Sequence, residues 1–234
     1  MSTLIHTGSN VSTAQIADAC MRLKVPFRIA PAGIKPVIAT TTMICGPVIP
    51  VRHYGSVDVF LEALERGPQN GIMVIDNGGR TDEACIGDLV VLEVKNAGLK
   101  AMLVWGLHRD TNDLIEIAFP VFSYGSFPSG PSRLEAREPE AFKSARFGDF
   151  ITNAEDTVFA DLDGAIFVET IHAEKILELA ATIRESEKKQ AIDTANGISL
   201  RQQFQFSEFL MRRDSSADYT FRKHLSSIAK AIEE

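Results

Sequence analysis

Two apolar stretches, with a helix-forming segment between them, constrain the fold of this chain more than any other feature. GIMVID (71–76) is apolar except for its last residue, and AMLVW (101–105) is apolar throughout. Between them lie the loop NGGRTDEACIG (77–87) and a segment from Asp88 to Gly98 with helical character. This order predicts two neighbouring parallel strands joined by a right-handed crossover, and therefore an α/β fold.

The length of the crossover places charged residues together. Asp88 is separated from the pair Arg109 and Asp110 by twenty residues. A helix of about 11 residues advances ~16 Å at ~1.5 Å per residue, and a strand of about five residues returns ~17 Å at ~3.3 Å per residue. The two ends therefore meet at the carboxyl edge of a parallel sheet, where α/β folds bind ligands.

The residue types at this edge suit a small anionic substrate. The backbone amides of Gly87, Asp88 and Leu89, at the start of the helix, can receive a carboxylate. Arg109 offers a permanently charged planar fork to an oxyanion such as an enolate. Asp110 is a hard oxygen ligand suited to Mg²⁺ or Mn²⁺, and Asp88 can orient or deprotonate a water. We interpret the set as a site for a 2-oxo acid, while the spacing alone also allows a helix cap and a surface ion pair.

Composition argues against several classes of function. A net charge of −7 disfavours general binding to nucleic acid or to anionic membranes. No run approaches the roughly 20 apolar residues of a membrane span, and the start MSTLIHTGSN lacks targeting features, so the cytoplasm is the expected location. Cys20, Cys45 and Cys85 have no C-x-x-C spacing, which predicts buried thiols rather than disulfides or structural zinc.

Other segments continue the alternation of helices and strands. Ser12, with Gln15 three residues later, forms a capping-box pattern that predicts a short helix near the start of the chain. Further strands are predicted in VIATTTMI (37–44), PVFSY (120–124), ARFGDFI (145–151), TVFADLDG (157–164) and AIFVE (165–169), and further helices in GSVDVFLEALERG (55–67), NDLIEIA (112–118) and AEKILELAATI (173–183).

The last part of the chain is predicted to be helical. We place an α/β domain at residues 1–172 and a helical C-terminal extension at residues 173–234. Near the end of the extension an apolar stripe recurs at helical spacing, formed by Phe221, Leu225, Ile228 and Ile232. Because this stripe is too isolated to form a core, we expect it to pack on the body or on a neighbouring subunit.

At the residues of the predicted site the sequence resembles the RraA-like family, in particular its class II 4-hydroxy-4-methyl-2-oxoglutarate / 4-carboxy-4-hydroxy-2-oxoadipate aldolases. The D-x20-R-D motif of that branch is intact as Asp88, Arg109 and Asp110. The stretches STAQIADAC, DNGGRTDEACIGDLV, FPVFSYGSFPSGP and ADLDGAIFV are also similar, so that the resemblance covers about residues 10 to 190. It implies a swivelling β/β/α-type α/β fold, assembled as homotrimers or homohexamers with sites between subunits.

The resemblance also implies a role for each residue of the motif. The residue that matches Asp110 binds a divalent metal, and the one that matches Arg109 holds the pyruvyl oxygen and the enolate. Asp88 matches a residue that holds a metal-bound water used in proton transfer, and the amides of the Gly87 loop and of Leu89 bind the pyruvyl carboxylate. Such an enzyme releases pyruvate from a 4-hydroxy-2-oxo acid and commonly also decarboxylates oxaloacetate.

Several points stay open at this level. His108 stands where the family more often has an apolar residue, and it either binds substrate or caps the turn. Aldolase relatives use a glutamate of the adjacent subunit, for which Glu185 and Glu187 are the candidates here. Lys95 and Lys100 fall on a solvated helix face and at its end, which does not indicate a Schiff-base aldolase. The alternative function is that of the family's regulators, which bind and inhibit an endoribonuclease without catalysis; the complete motif and the longer chain favour the enzyme.

Overall fold

The computed structural model describes residues 11–40, 42–67 and 70–228, and within them the chain has eight helices and twelve strands. The helices are α1 (Thr13–Leu23), α2 (Asp58–Arg66), α3 (Asp88–Asn96), α4 (Thr111–Ile117), α5 (Thr170–Ala195), α6 (Leu200–Gln203), α7 (Phe206–Ser215) and α8 (Phe221–Ser227). The strands are β1 (Arg28–Ile29), β2 (Lys35–Pro36), β3 (Ile44–Arg52), β4 (Ile72–Asp76), β5 (Ala84–Ile86), β6 (Ala101–Trp105), β7 (Leu107–His108), β8 (Val121–Ser123), β9 (Ser144–Phe147), β10 (Phe150–Asn153), β11 (Asp156–Asp161) and β12 (Gly164–Glu169).

An eight-stranded mixed sheet forms the centre of the fold. Its strand order is β1-β12-β11-β3-β4-β6-β8-β2. Strands β3, β4, β6 and β8 are parallel to their neighbours within this group, whereas β11, β12 and the short edge strands β1 and β2 pair in the antiparallel sense. The predicted crossover is present, because β4 and β6 pair in parallel with α3 between them in the chain.

The sheet separates distinct apolar cores. Along β4, Met73 and Ile75 enter the core beneath α2, α3 and α4, while Ile72 and Val74 enter the core on the opposite face. This second core also contains side chains of β9, β11 and β12, so the sheet curls around it as a half-barrel. On the outer face of β11 and β12, helices α1 and α5 build a third core. The helices of the parallel part and those of the antiparallel part therefore cover different stretches of one sheet.

Several local predictions are confirmed. Ser12 caps α1 with a complete capping box that includes the Gln15 side chain. TVFADLDG and AIFVE form β11 and β12 as predicted, whereas ARFGDFI, predicted as one strand, is a hairpin of β9 and β10 that turns at Gly148 and Asp149. The three cysteines are buried free thiols. Burial in the apolar interior raises the pKa of Cys20 to about 11 and that of Cys45 to about 12.

The strand predicted at residues 37–44 is wrong. Of its described residues only Ile44 belongs to a strand, and the strand itself, Ile44–Arg52, continues through Pro47 and Pro50. Proline lacks the amide hydrogen that a ladder needs and is normally confined to sheet edges, so the sequence pattern pointed away from this segment. The described residues upstream of Ile44 instead form an irregular connection that begins where the Val37 amide donates to the Val121 carbonyl.

The C-terminal extension begins as a continuation of the body and then forms a cluster of its own. The boundary proposed at residue 172 falls in the first turn of α5, whose first half packs into the third core through Ala173, Ile176, Ala180 and Ile183. Farther on, helices α6 to α8 assemble an aromatic cluster in which the Phe209 and Phe221 rings lie 5.0 Å apart. Ile232 of the predicted stripe and the segment MSTLIHTGSN lie outside the described residues. Among the described helices, including the 26-residue α5, none has the length and apolar character needed to cross a bilayer.

Candidate active site

A second, two-stranded sheet brings the predicted site together. Strands β5 and β7 pair in parallel, with Ala84 opposite Leu107 and Ile86 opposite His108. One residue farther along, the Arg109 amide donates to the Ile86 carbonyl at 3.0 Å. This pairing places the start of α3 beside the residues that follow β7, at the carboxyl edge of the large sheet.

The Arg109–Asp110 ion pair lies against the backbone of Asp88 at this point. Asp110 Oδ2 lies 3.2 Å from Arg109 Nε and 3.4 Å from the backbone nitrogen of Asp88. The predicted cluster of Asp88, Arg109 and Asp110 is therefore assembled within one chain. Its oxygen and nitrogen atoms face the N-terminus of α3, where the helix dipole favours negative charge.

Gly87 provides the space for this contact. A Cβ atom at Gly87 would lie 2.3 Å from Asp110 Oδ2 and 3.1 Å from Arg109 Nε. The backbone of Gly87 is extended, with φ −147° and ψ −168°, a conformation that any residue adopts. Glycine is thus needed here for close approach and not for backbone freedom.

Asp110 has an unusual backbone conformation for a residue other than glycine. Its φ of 60° and ψ of 40° lie in the left-handed region. Although Asp110 is the N-cap residue of α4, its side chain makes no capping hydrogen bond. Aspartate at an N-cap position usually bonds to the first-turn amides of its helix, and the carboxylate of Asp110 is instead directed to Arg109 and the Asp88 amide. Non-glycine residues in this conformation are concentrated at functional sites.

Part of the cluster is available to a ligand. The Arg109 side chain is 48% exposed and that of Asp110 is 31% exposed. Within the described residues, no hydrogen bond reaches the two terminal nitrogens of Arg109 or the Oδ1 atom of Asp110. A planar cationic fork and a carboxylate oxygen are therefore both open beside a helix N-terminus, an arrangement that can bind an anionic ligand with a further acidic oxygen.

The donor set fits a hard divalent cation held by few protein ligands. No group of three or more histidine, cysteine, aspartate or glutamate side chains with metal-binding geometry occurs in the described part of the chain. An all-protein cage of the zinc type is thus not formed by these residues. Mg²⁺ and Mn²⁺ accept one or two carboxylates and keep several waters, which is what the open oxygen of Asp110 offers.

A family model identifies the chain. Residues 13–167 match the RraA-like family, described as Aldolase/RraA. This chain belongs to the RraA-like family. The match contains the entire candidate site, whereas helices α5 to α8 lie beyond it.

Individual RraA-like relatives are distant. Uncharacterized protein MJ0644 of Methanocaldococcus jannaschii is 24% identical over 171 residues, which is 72% of this chain and 81% of that protein. A protein of Aromatoleum aromaticum named "Putative 4-hydroxy-4-methyl-2-oxoglutarate aldolase" is 28% identical over 127 residues, 54% of this chain and 78% of that protein. The crystal structure of Streptomyces coelicolor RraAS2, described as an unusual member of the RNase ES inhibitor RraA protein family, has a TM-score of 0.68 at 24% identity and covers 81% of this chain and 96% of that chain. The predicted RraA-like α/β fold is therefore confirmed.

The side chain of His108 is held between two hydroxyl groups in this RraA-like chain. Its side chain is buried, with Nδ1 2.7 Å from Ser123 Oγ and Nε2 3.1 Å from Thr111 Oγ1. Burial lowers the pKa of His108, and the nearby Asp110 carboxylate only partly opposes this effect. Because both ring nitrogens are engaged by hydroxyl groups, the geometry favours the turn-stabilising role over substrate binding.

The two glutamate candidates lie on α5. Glu187 accepts a hydrogen bond from Gln15 Nε2 at 2.7 Å, which ties α5 to α1, and Glu185 is exposed. Within the chain, neither carboxylate bonds to Asp88, Arg109 or Asp110. Their contribution to the site of a neighbouring RraA-like subunit stays a prediction.

The two lysines considered for a Schiff base are occupied elsewhere. Lys95 Nζ donates to the Ile117 carbonyl at 2.5 Å, and Lys100 Nζ donates to the Cys45 carbonyl at 2.8 Å. Both interactions connect secondary-structure elements of the RraA-like body. This placement agrees with the interpretation that neither lysine is a nucleophile.

Sequence reasoning missed one polar cluster next to the site. Glu83, which directly precedes β5, is buried and forms an ion pair with Arg133 at 2.9 Å. The two residues are 50 positions apart in the chain, so no local sequence pattern predicts the ion pair. The available signal was a charged residue, Glu83, directly before the buried stretch ACIG, since carboxylates are rarely buried without a partner.

Proposed function

We propose that this protein is a divalent-metal-dependent lyase that releases pyruvate from a 4-hydroxy-2-oxo acid by retro-aldol cleavage. The main support is the open guanidinium of Arg109 beside the open carboxylate oxygen of Asp110, at the N-terminus of α3. Several family relatives bear an aldolase name, which supports the same class of reaction. Oxaloacetate is a second candidate substrate, because its decarboxylation forms the same enolate of pyruvate.

The start of α3 would bind the substrate carboxylate. The first-turn amides of a helix have no acceptor within the helix. In α3 these include the amides of Asp88 and Leu89, at the N-terminus beside Arg109 and Asp110. The Asp88 amide has only a long contact of 3.4 Å to Asp110 Oδ2, and Leu89 is 76% exposed. Gly87 leaves the approach to these amides free of a side chain.

Arg109 would stabilise the charge that develops in the reaction. When the C3–C4 bond of a 4-hydroxy-2-oxo acid breaks, its electron pair passes to the pyruvyl fragment and negative charge collects on the 2-oxo oxygen. The two terminal nitrogens of Arg109 can donate to that oxygen, and such preorganised donors contribute about 3–4 kcal/mol to transition-state stabilisation. Asp88 would accept the proton of the 4-hydroxyl group as C4 becomes a carbonyl, directly or through a water, and the same proton would return to C3 of the enolate to give pyruvate.

Asp110 would hold the metal ion. When bound, Mg²⁺ or Mn²⁺ supplies a further positive charge that stabilises the developing enolate. Asp110 keeps its second oxygen against Arg109 Nε, so that the ion pair fixes the orientation of the carboxylate.

Purified protein with Mg²⁺ or Mn²⁺ is expected to release pyruvate from at least one member of a panel of 4-hydroxy-2-oxo acids and oxaloacetate. Lactate dehydrogenase and NADH report the pyruvate as a loss of absorbance. Activity should disappear with a chelator and return when the metal is added back. Turnover no greater than that of an Arg109→Ala variant across the panel would contradict the proposed function.

Asp110→Asn is expected to weaken the metal dependence while preserving the fold, because asparagine tolerates the left-handed backbone but lacks the negative charge. The metal concentration for half-maximal activity should rise by about tenfold or more, in line with the loss of a charged ligand. Titration of activity with Mn²⁺ measures this shift. An unchanged titration curve would remove Asp110 from the proposed metal site.

A homo-oligomer is the second part of the proposal. Leu89, Leu92 and Ile115, on the adjacent helices α3 and α4, are 76%, 41% and 50% exposed beside the site. A neighbouring subunit of a trimer or hexamer would cover these apolar side chains and close the site from one side. Leu92→Glu is therefore expected to lower the molar mass measured by light scattering, whereas the same substitution at exposed Ile192 on α5 should not.

The regulator function is the alternative, and the structural likeness to RraAS2 favours it. It predicts that the protein inhibits an endoribonuclease of the RNase E class in vitro while showing no metal-dependent lyase activity. The Arg109→Ala variant discriminates the two functions, because only the lyase requires the guanidinium.

A further inference from the structure

Glu83 and Arg133 form an ion pair in which the carboxylate is buried and the guanidinium is partly buried, and Arg80 Nε lies 3.5 Å from the second carboxylate oxygen. The Glu83 side chain is 5% exposed and that of Arg133 is 16% exposed. Arg133 Nε donates to both carboxylate oxygens at 3.0 and 3.1 Å, and Nη2 donates to Oε1 at 2.9 Å. Its remaining terminal nitrogen, Nη1, lies 2.9 Å from a carboxylate oxygen of Glu135. The guanidinium is thus held in one orientation by its planar fork.

The ion pair extends into the loop that follows β4. Asn77 Oδ1 accepts a hydrogen bond from Arg133 Nη2 at 2.9 Å and lies 2.8 Å from His53 Nδ1. Because the Asn77 oxygen cannot donate, His53 Nδ1 carries the proton. Burial lowers the pKa of His53, which disfavours the charged imidazolium. The loops after β3 and β4 are therefore joined to Arg133 through one set of hydrogen bonds.

The segment before Arg133 is also bound to both strands of the small sheet. The Ala84 amide donates to the Ser129 carbonyl at 2.9 Å, and the Phe127 amide donates to the His108 carbonyl at 2.8 Å. A Cβ atom placed at Gly130 would lie 3.2 Å from Arg109 Nη1. Residues 125–133, which we call the clamp segment, thus pass close to the guanidinium that would bind the substrate oxygen, with Gly130 leaving room for it.

We propose that the Glu83–Arg133 ion pair positions Arg109, by holding the clamp segment against β5 and β7. Glu83 and Arg133 are positioning residues in this proposal, since they act through Arg109. A buried ion pair stabilises a structure weakly compared with apolar residues, but it fixes one geometry when all its donors and acceptors are satisfied. The catalytic consequence rests on the proposed function, whereas the placement of the clamp segment does not.

The first test measures the placement without any reaction. Hydrogen exchange of the Ala84 and Phe127 amides should accelerate by about tenfold or more in Arg133→Lys and in Glu83→Gln, because lysine cannot reproduce the fork and glutamine lacks the charge. Arg137→Gln is the control. Arg137 lies four residues after Arg133, and its ion pair with Glu62 is at the surface. Exchange equal to that of the wild type in both variants would overturn the proposal.

The second test measures the effect on Arg109. With the substrate found above, kcat of Arg133→Lys should fall about 10- to 100-fold while KM changes by less than about threefold, as expected for a misplaced catalytic group. In an Arg109→Lys background, which retains measurable activity, the same substitution should lower kcat by less than about twofold further. Additive losses in the double variant would mean that Arg133 acts on overall structure, and this result contradicts positioning through Arg109.

A third variant tests the proposal without altering the ion pair, in case the other two variants fail to fold. Gly130→Ala leaves the ion pair intact and requires the guanidinium to shift by a few tenths of an ångström, so kcat should fall several-fold with wild-type hydrogen exchange. If the wild type lacks lyase activity, the proposed function fails and the exchange measurement still decides the placement. If the wild type is active and Arg133→Lys, Glu83→Gln and Gly130→Ala all match it, this inference alone fails.

Discussion

Arg109→Lys is expected to lower kcat by about 10²–10³-fold without unfolding the protein. Lysine keeps the positive charge but presents a single ammonium group, which cannot donate two parallel hydrogen bonds from a rigid plane. Removal of one preorganised donor to a developing oxyanion costs about this factor in other enzymes. Because the Arg109 side chain is about half exposed and outside the apolar cores, the thermal midpoint should change little.

The chain offers a matched control for this substitution. Arg213 is also followed by an aspartate, forms an ion pair with it at 3.0 Å and is 51% exposed, close to the 48% of Arg109. Arg213→Lys therefore reproduces the sequence pattern and the exposure at a place far along the chain from the site. Equal kcat values for Arg109→Lys and the wild type would show that Arg109–Asp110 is only a surface ion pair, as Arg213–Asp214 is.

Gly87→Ala is expected to lower kcat by about 10²-fold and to weaken metal binding, with little effect on stability. The added methyl group would overlap Asp110 Oδ2, at 2.3 Å, and would displace the carboxylate from the start of α3. The extended backbone of Gly87 accepts alanine, and the overlapping atom belongs to a side chain that can rotate away. A misplacement of this size typically costs about two orders of magnitude in rate.

Gly98 lies just beyond the C-terminal end of α3, and its substitution by alanine is expected to have the opposite pair of effects on stability and kcat. Its φ of 82° lies in the left-handed region, and no atom lies within 4 Å of a Cβ placed there. Gly98→Ala should therefore lower the free energy of unfolding by about 1 kcal/mol while leaving kcat unchanged. Thermal denaturation and the pyruvate assay on both variants test this pairing. Loss of stability in Gly87→Ala, with kcat intact, would contradict the role of Gly87 in shaping the site.

The sequence predicts those parts of the fold that depend on local periodicity. The run from β4 through α3 to β6, and the capping box of α1, follow from the apolar pattern and from the side chain of Ser12. By contrast, β3 contains Pro47 and Pro50 in the interior of the sheet. Its position depends on pairing with β4 and β11, which are distant in the chain, and local propensity points the other way.

The proximity of Asp88, Arg109 and Asp110 was predictable from the sequence, whereas the pairing that produces it was only partly predictable. The spacing between Asp88 and Arg109 correctly brings both to one edge, although α3 has nine residues instead of about eleven. The exact position of Asp88 relative to Arg109 is set by the pairing of β5 with β7. These strands are too short to show a periodic pattern in the sequence. The Glu83–Arg133 ion pair could not be predicted from the sequence either, because its partners are 50 positions apart and share no local pattern.

The backbone of Asp110 has a consequence for how activity can be lost during evolution. At a φ of 60° the residues tolerated best are glycine, asparagine and aspartate. Two of these three lack a carboxylate, so a single substitution can remove the acidic group of the proposed site without adding backbone strain. A fold with its acidic residue at such a position can pass from enzyme to non-enzyme with its stability preserved, and descendants of both kinds can persist on the same scaffold.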